Sequence, residues 1–330
     1  AKPVTMQLEK ANSAMKEVTG SPYTFGDLSF PAVYTVKPSR NDDHLNGVST
    51  ADIVKIQKHI LGQSPIASPY KLIAADVNAS GSITASDISE MRKLILGVQP
   101  TFTKVASWTF VPNSYLFADP SKPWTFVPSS YTFFDPTKPW TAPRSSIVIP
   151  TSPIEYKENF MAIKMGDVNG NAKAGLVGTS IRTTGTLNLE IEEGTVVAGQ
   201  TYKMNVKSSD FASIAGYQFT MKYDNESLVY EGVERGVLNV NESNIGTIRS
   251  GVITTSWNSN VGESYKSNEV LYSIVFKATR SGNISKMISI TSDVTRAEAY
   301  DNLDQVKEVK LGVRTDKGIV ETGVFELYQN

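Results

Sequence analysis

The spacing of apolar residues changes character several times along the chain. From Met6 to Val18 it is helix-like, and two short runs, Pro22–Phe25 and Val33–Val36, read as strands. Residues 41 to 100 hold two loop-then-helix units. Ile53, Ile56 and Ile60 in the first, and Ile88, Met91 and Ile95 in the second, recur at i, i+3 and i+7. That is one buried stripe per helix, and it predicts that the two helices pack on each other. Gly62 and Gly97 then end the helices as C-terminal stops. The units form an internal repeat at an offset of 35 residues, with Val48 matching Ile83, Asp52 matching Asp87, and Leu61-Gly62 matching Leu96-Gly97. From Leu187 to about Val313 the period drops to two, with regular turn signals, which predicts an all-β sandwich. Within it Tyr217, Phe219, Met221 and Tyr223 alternate with Gln218, Thr220 and Lys222, so one face is expected buried and the other wet. The fold class expected is mainly β with a small α module.

Between these parts lies a second repeat. WTFVPNSYLFADPSKP, starting at Trp108, is followed by WTFVPSSYTFFDPTKP, starting at Trp124, and then Trp140. The equally spaced tryptophans, interleaved with Tyr115 and Tyr131, are either a brace over a neighbouring core or a stacking platform for sugar rings.

Composition narrows the function classes. The 32 basic and 33 acidic residues give a formal net charge of −1, so there is no electrostatic footprint for nucleic acid. No apolar run approaches a membrane span, and the N-terminus has no apolar signal core, so any signal peptide is expected to be gone already. Cysteine is absent and only His44 and His59 are present, which removes disulfides, thiolate sites, cysteine nucleophiles and histidine-rich zinc sites. Carboxylates such as Asp210, Asp224 and Glu226 remain for a hydrolase, but Asp224 and Glu226 fall in a turn between strands. The chain is expected not to be an enzyme.

The chemistry in this sequence is loop chemistry. Residues 76–87, DVNASGSITASD, place Asp76, Asn78 and Ser80 at positions 1, 3 and 5 of a calcium loop, with Gly81 at the sharp turn. Ser82 offers its carbonyl at position 7, and Asp87 closes the shell from inside the following helix. An Asx-rich turn capping a helix is the alternative. Aligning Val48 with Ile83 puts Asn41, Asp43 and Leu45 at positions 1, 3 and 5 of the first loop, Asn46 at the glycine position, Gly47 at position 7 and Asp52 at position 12. Leu45 has no side-chain oxygen and Asn41 no charge, so this site is the weaker. A third stretch, Gly166-Asp167-Val168-Asn169-Gly170-Asn171, starts like such a loop but lacks the closing carboxylate. Asp167 and Asn169 are either part of a plain turn or fold back to complete the weak first site.

The two loop–helix units, through DVNASGSITASD and GVSTADIVKIQKHILG, resemble the dockerin family. The resemblance implies a calcium-dependent helix pair that docks onto a cohesin partner. The stretch from LNLEIEEGTVVAGQ through AGYQF and KYDNESL, with the later EVLYSIVFKATRSGN, resembles a cohesin. PYTFGDLSFPAVYTVKP is similar to the last strands of an adhesin-type Ig-like repeat, and Phe325-Glu326-Leu327-Tyr328-Gln329-Asn330 to the start of a type IX secretion sorting domain. The expected layout is a partial Ig-like segment over 1–40, a dockerin-like module over 41–100, a connector over 101–185, a cohesin-like sandwich over 186–315 and a tail over 316–330. These resemblances imply a secreted, calcium-binding cell-surface protein that assembles, with itself or with a cohesin or dockerin partner, into structures such as filaments. A carbohydrate-binding adhesin recognising surface glycans is the alternative.

Overall fold

In a computed structural model of the chain, the structure describes residues 2–10, 16–28, 34–113, 115, 117, 120–123, 131–134, 146–148, 158–173, 183–315 and 318–321. The chain divides into two compact units. One takes Ala1–Val48, Gly62–Glu90 and Thr101–Gly178; the other takes Ser49–Leu61, Met91–Pro100 and Thr179–Asn330.

The first unit opens with β1 (Thr5–Lys10), β2 (Lys16–Thr19) and β3 (Tyr34–Ser39), with β1 antiparallel to both others. The helix expected over Met6–Val18 is therefore a pair of strands. Met6 and Leu8 point one way and Gln7 pairs with Glu17 across the strands, so a two-residue alternation, satisfied by β3, overrides the local helical spacing. Met6, Leu8, Tyr34 and Val36 form the small core that results. Pro22–Phe25, expected as a strand, has no strand pairing, and Val33 lies outside the described residues. Three helices follow in the chain: α1 (Thr50–Ile60), α2 (Pro69–Ala75) and α3 (Ala85–Ile95). Next come β4 (Trp108–Pro112), β5 (Tyr131–Phe134), β6 (Ser146–Val148) and β7 (Phe160–Lys164). β5 takes the free edge of β3, β6 runs parallel to β5, and β4 pairs antiparallel with β7. A strand of the same chain thus extends the N-terminal sheet at β3.

The second unit is built on β8 (Gly185–Glu192), β9 (Thr195–Val196), β10 (Thr201–Ser208), β11 (Ile214–Tyr223), β12 (Leu228–Arg235), β13 (Ile245–Arg249), β14 (Val252–Glu263) and β15 (Tyr272–Ala278). They are followed by β16 (Gly282–Asn283), β17 (Ile288–Thr291), β18 (Glu298–Asp301), β19 (Val306–Thr315) and β20 (Gly318–Glu321). The strand order is β12-β15-β10-β8-β19-β18-β11-β14-β13, antiparallel except for β8 with β19. The layers face each other through aromatic rings. Tyr217 on β11 stacks on its cross-strand neighbour Trp257 of β14 at 5.4 Å and on Tyr272 of β15 at 6.4 Å, beside Phe219, Phe276 and the leucines of β8. Such rings bury ~150–250 Å² each, so this seam dominates the core.

One expectation fails here. Gln218 and Thr220 are 3 % and 0 % exposed, not wet, and only Lys222 of that set reaches solvent. The outer face of β11 and β14 is covered by α1, and Thr220 is also bridged to the chain at Thr295.

Candidate metal loops and interaction face

Local chemistry shapes the loop at 76–87. The Asp76 carboxylate accepts the N–H groups of Ser80 and Gly81, both at 2.9 Å, and Asn78 Oδ1 accepts the Ser80 N–H at 2.9 Å. Ala79 and Gly81 take positive φ, 54° and 76°, which lets the chain curl around the carboxylate. At the far end Asp87 Oδ2 accepts from Thr84 N at 2.9 Å, and Oδ1 from Asn78 N at 3.3 Å. The Ser80 hydroxyl donates to the Ser82 carbonyl at 3.0 Å. The structure thus brings Asp76, Asn78, Ser80, Ser82 and Asp87 around one turn. Asp87 is fully buried; burial raises its carboxyl pKa, and the Asp76 charge raises it further, against its hydrogen bonds from Thr84 and Asn78. Two buried carboxylates with amide, hydroxyl and carbonyl oxygens are the hard donor set that calcium takes, and these residues fit that ion.

The first loop is different. Asn41 Oδ1 accepts the Ser107 N–H at 2.8 Å, and Asp42 pairs with Arg40 and with the Lys2 N–H. Asp43 sits at φ +53° and its carbonyl accepts the Asn46 N–H at 3.1 Å, while Leu45 is exposed. Gly47 has positive φ and no room for a Cβ. In the second unit, Asp52 Oδ2 accepts the N–H and hydroxyl of Ser49 at 2.9 and 3.0 Å. This is the cap that Asp87 makes to Thr84. Asp167 and Asn169 lie, within the first unit, on a turn beside the first loop, in which Asp167 accepts three successive N–H groups.

Also within the second unit is a face that sequence reasoning missed. Gln218 Oε1 accepts both the N–H and the hydroxyl of Thr50, at 2.7 and 2.9 Å, and the Thr50 hydroxyl meets Ser256 Oγ at 2.8 Å. A strand side chain thereby satisfies one of the unpaired donors at the start of α1. Asn258 donates to Gln57 at 2.6 Å and accepts from Arg92. At the end of α3 the hydroxyls of Thr254 and Thr295 donate to the carbonyls of Leu96 and Ile95, both at 2.6 Å. Lys55 pairs with Asp304 at the rim. Close approach is made possible by glycine: a Cβ on Gly216 would lie 2.9 Å from Thr50 Cγ2, and one on Gly246 2.8 Å from the Leu96 carbonyl. Two signals were present in the sequence. The outward positions of β14 are Thr254, Ser256 and Asn258, with no charge among them, and Gly216 and Gly246 interrupt strands.

The remaining candidates are in structural use. Asp210 accepts from Asn188, Asp224 from the Ser227 hydroxyl, which lowers its pKa, and Glu226 pairs with Arg280. Trp108 is 6 % exposed under the Arg40 guanidinium, 4.6 Å from its ring, as a brace would be; Trp124 and Trp140 lie outside the described residues. The C-terminal hexapeptide also lies outside them.

Residues 187–314 match the cohesin domain model and residues 42–96 match the dockerin type I domain model. No curated protein matches the chain. Among solved structures, it is similar to the sixth cohesin of scaffoldin B from Acetivibrio cellulolyticus, in complex with a mutant dockerin: 23 % identity, 39 % of this chain, 94 % of that one, TM-score 0.31. A type I cohesin–dockerin complex from Clostridium thermocellum gives 14 %, 41 %, 94 % and 0.31, and a Clostridium acetobutylicum cohesin 14 %, 38 %, 91 % and 0.28. Dockerin and cohesin are non-catalytic modules that bind each other, and the pair indicates a protein–protein assembly function.

Proposed function

We propose that this chain is a calcium-stabilised surface protein, secreted from the cell, that assembles through helix-on-sandwich docking and whose own helices occupy its sandwich face. The observation that carries this reading is the capture of the Thr50 N–H and hydroxyl by Gln218 on the outer face of β11. The face is polar and self-satisfied, the kind of interface that can open and re-form. The same contact made between copies would run head to tail and, where its rotation does not close, give a filament. The loop chemistry supports the extracellular setting. A loop with only Asp76 and Asp87 as charged ligands is weak, and low ligand charge belongs to extracellular modules with Kd of roughly 10⁻⁴–10⁻³ M.

Complementation tests the reading. Thr50→Arg spoils the helix side and leaves the sandwich intact; Gly216→Leu spoils the sandwich side and leaves the helices intact. Each variant alone is expected to sediment as a monomer, and an equimolar mixture to form a one-to-one complex. A mixture that shows no complex at tens of micromolar contradicts the proposal.

A further inference from the structure

Residues 167–172 repeat three side-chain hydrogen bonds of the first half of the 76–87 loop; they differ at the fourth residue, where Gly170 N donates to Asp167 Oδ1 and Ala79 N to the Asp76 carbonyl. Asn171 N donates to Asp167 Oδ1 at 3.1 Å and to Asn169 Oδ1 at 3.0 Å, as Ser80 N donates to Asp76 Oδ1 and Asn78 Oδ1, both at 2.9 Å. Ala172 N donates to Asp167 Oδ2 at 2.9 Å, as Gly81 N does to Asp76 Oδ2 at 2.9 Å. The fourth residue is left-handed in both, Gly170 at φ +83° and Ala79 at +54°. Asp167, Asn169 and Asn171 therefore hold the places of Asp76, Asn78 and Ser80. The stretch lies outside the 42–96 region matched by the dockerin model.

This half-loop is seated on the first loop. The Asn46 side chain donates to the Lys173 carbonyl at 2.7 Å and accepts the Lys173 N–H at 3.1 Å, across 127 residues of chain. A Cβ on Gly47 would lie 2.6 Å from that of Ala172, and one on Gly166 3.0 Å from Val48, so glycine at both positions lets the segments touch. The N-terminal part of the first loop is turned to other work, with Asn41 holding the Ser107 N–H and Leu45 offering no side-chain oxygen. Lys71 stands at the outer side of the half-loop, its amine 3.3 Å from the Asn169 carbonyl.

We infer that Asp167, Asn169 and Asn171 supply the side-chain oxygens of the first loop's calcium site, in place of Asn41, Asp43 and Leu45. The inference rests on the calcium reading given above for 76–87. It makes the site a clasp that joins the loop before α1 to a segment beyond the aromatic repeat.

Counting bound calcium by native mass spectrometry, on the metal-stripped full chain titrated with calcium chloride, tests it. The wild type is expected to take two ions, Asp167→Ala and Asp167→Asn one, Asp87→Ala one, and Asp43→Ala two. Asp167→Asn keeps an acceptor for the loop N–H groups, and its circular dichroism reports whether the fold persists. Two ions on both Asp167 variants, or loss of an ion in Asp43→Ala, overturns the inference and leaves the 76–87 site standing. So does a wild type with a single ion that Asp87→Ala removes. A wild type that binds none overturns the calcium reading as well.

Discussion

Replacing Gln218 by Leu removes one acceptor and keeps the bulk of the side chain. Gln218 is 3 % exposed and Thr50 fully buried, so water cannot take the acceptor's place. Two donors lose their partner: the Thr50 N–H at 2.7 Å and its hydroxyl at 2.9 Å. The hydroxyl retains Ser256 at 2.8 Å, so only the N–H is orphaned outright. A buried unsatisfied donor costs about 1–3 kcal/mol, and the weakened hydroxyl adds less than a full net bond of roughly 1 kcal/mol. The loss should be about 2 kcal/mol. For a cooperative unit of 150–250 residues that lowers Tm by about 4–8 °C, at roughly 2–4 °C per kcal/mol. Differential scanning calorimetry of wild type, Gln218→Leu, Thr50→Val and the double variant gives both the loss and the coupling, and the coupling should exceed ~0.5 kcal/mol. A Tm for Gln218→Leu within 1 °C of wild type, with purely additive effects, would refute the claim that this contact holds α1 on the sheet.

Other outcomes follow from the same geometry. EGTA should lower Tm, since an ion at a hundred times its Kd contributes about 2.7 kcal/mol to the folded state, and Asp87→Ala should respond less to EGTA than wild type does. Thr295→Val strips the donor from the Ile95 carbonyl at the end of α3 and should cost about 1–3 kcal/mol by urea unfolding; an unchanged midpoint would show that the carbonyl is satisfied otherwise. Glu190, 1 % exposed, accepts from Ser209 N and Arg314 Nε at 3.2 and 3.1 Å, so Glu190→Ala should destabilise the sandwich by roughly 1.5–3 kcal/mol in the same assay.

The parts legible in the sequence were those where local pattern and tertiary packing agree. The β11 stripe of Tyr217, Phe219 and Met221 is buried as its alternation implied, and Ile53, Ile56, Met91 and Ile95 are buried on their helices. Gly62 and Gly97 take the left-handed conformation expected of helix stops. The turn at 76–87 closes around Asp76 because its spacing encodes the hydrogen bonds themselves. Legibility failed where a distant segment decides the outcome. Met6–Val18 carries helical spacing, yet pairing with β3 makes Met6 and Leu8 strand residues. Gln218 looks like part of a solvated face until a helix from far upstream caps onto it, and Thr220 until the chain at Thr295 bridges it. Ile60, part of the expected helical stripe, is 41 % exposed because the buried surface ends one turn earlier. Nothing near Leu45 in the sequence shows that Ala172 packs beside Gly47.

The sandwich face is filled by helices of the same chain. Thr50 Oγ1 and Ser256 Oγ lie 2.8 Å apart across that contact, 206 residues apart in sequence, and the natural chain has no cysteine. Side chains this close suit a disulfide, whose Cβ atoms sit about 3.8 Å apart. The Thr50→Cys/Ser256→Cys chain, oxidised at high dilution and run on a non-reducing denaturing gel, is predicted to give a fast-migrating monomer that reverts on reduction. Linear free-thiol monomer, or disulfide-linked dimers and larger species in place of the cyclised one, would contradict the account.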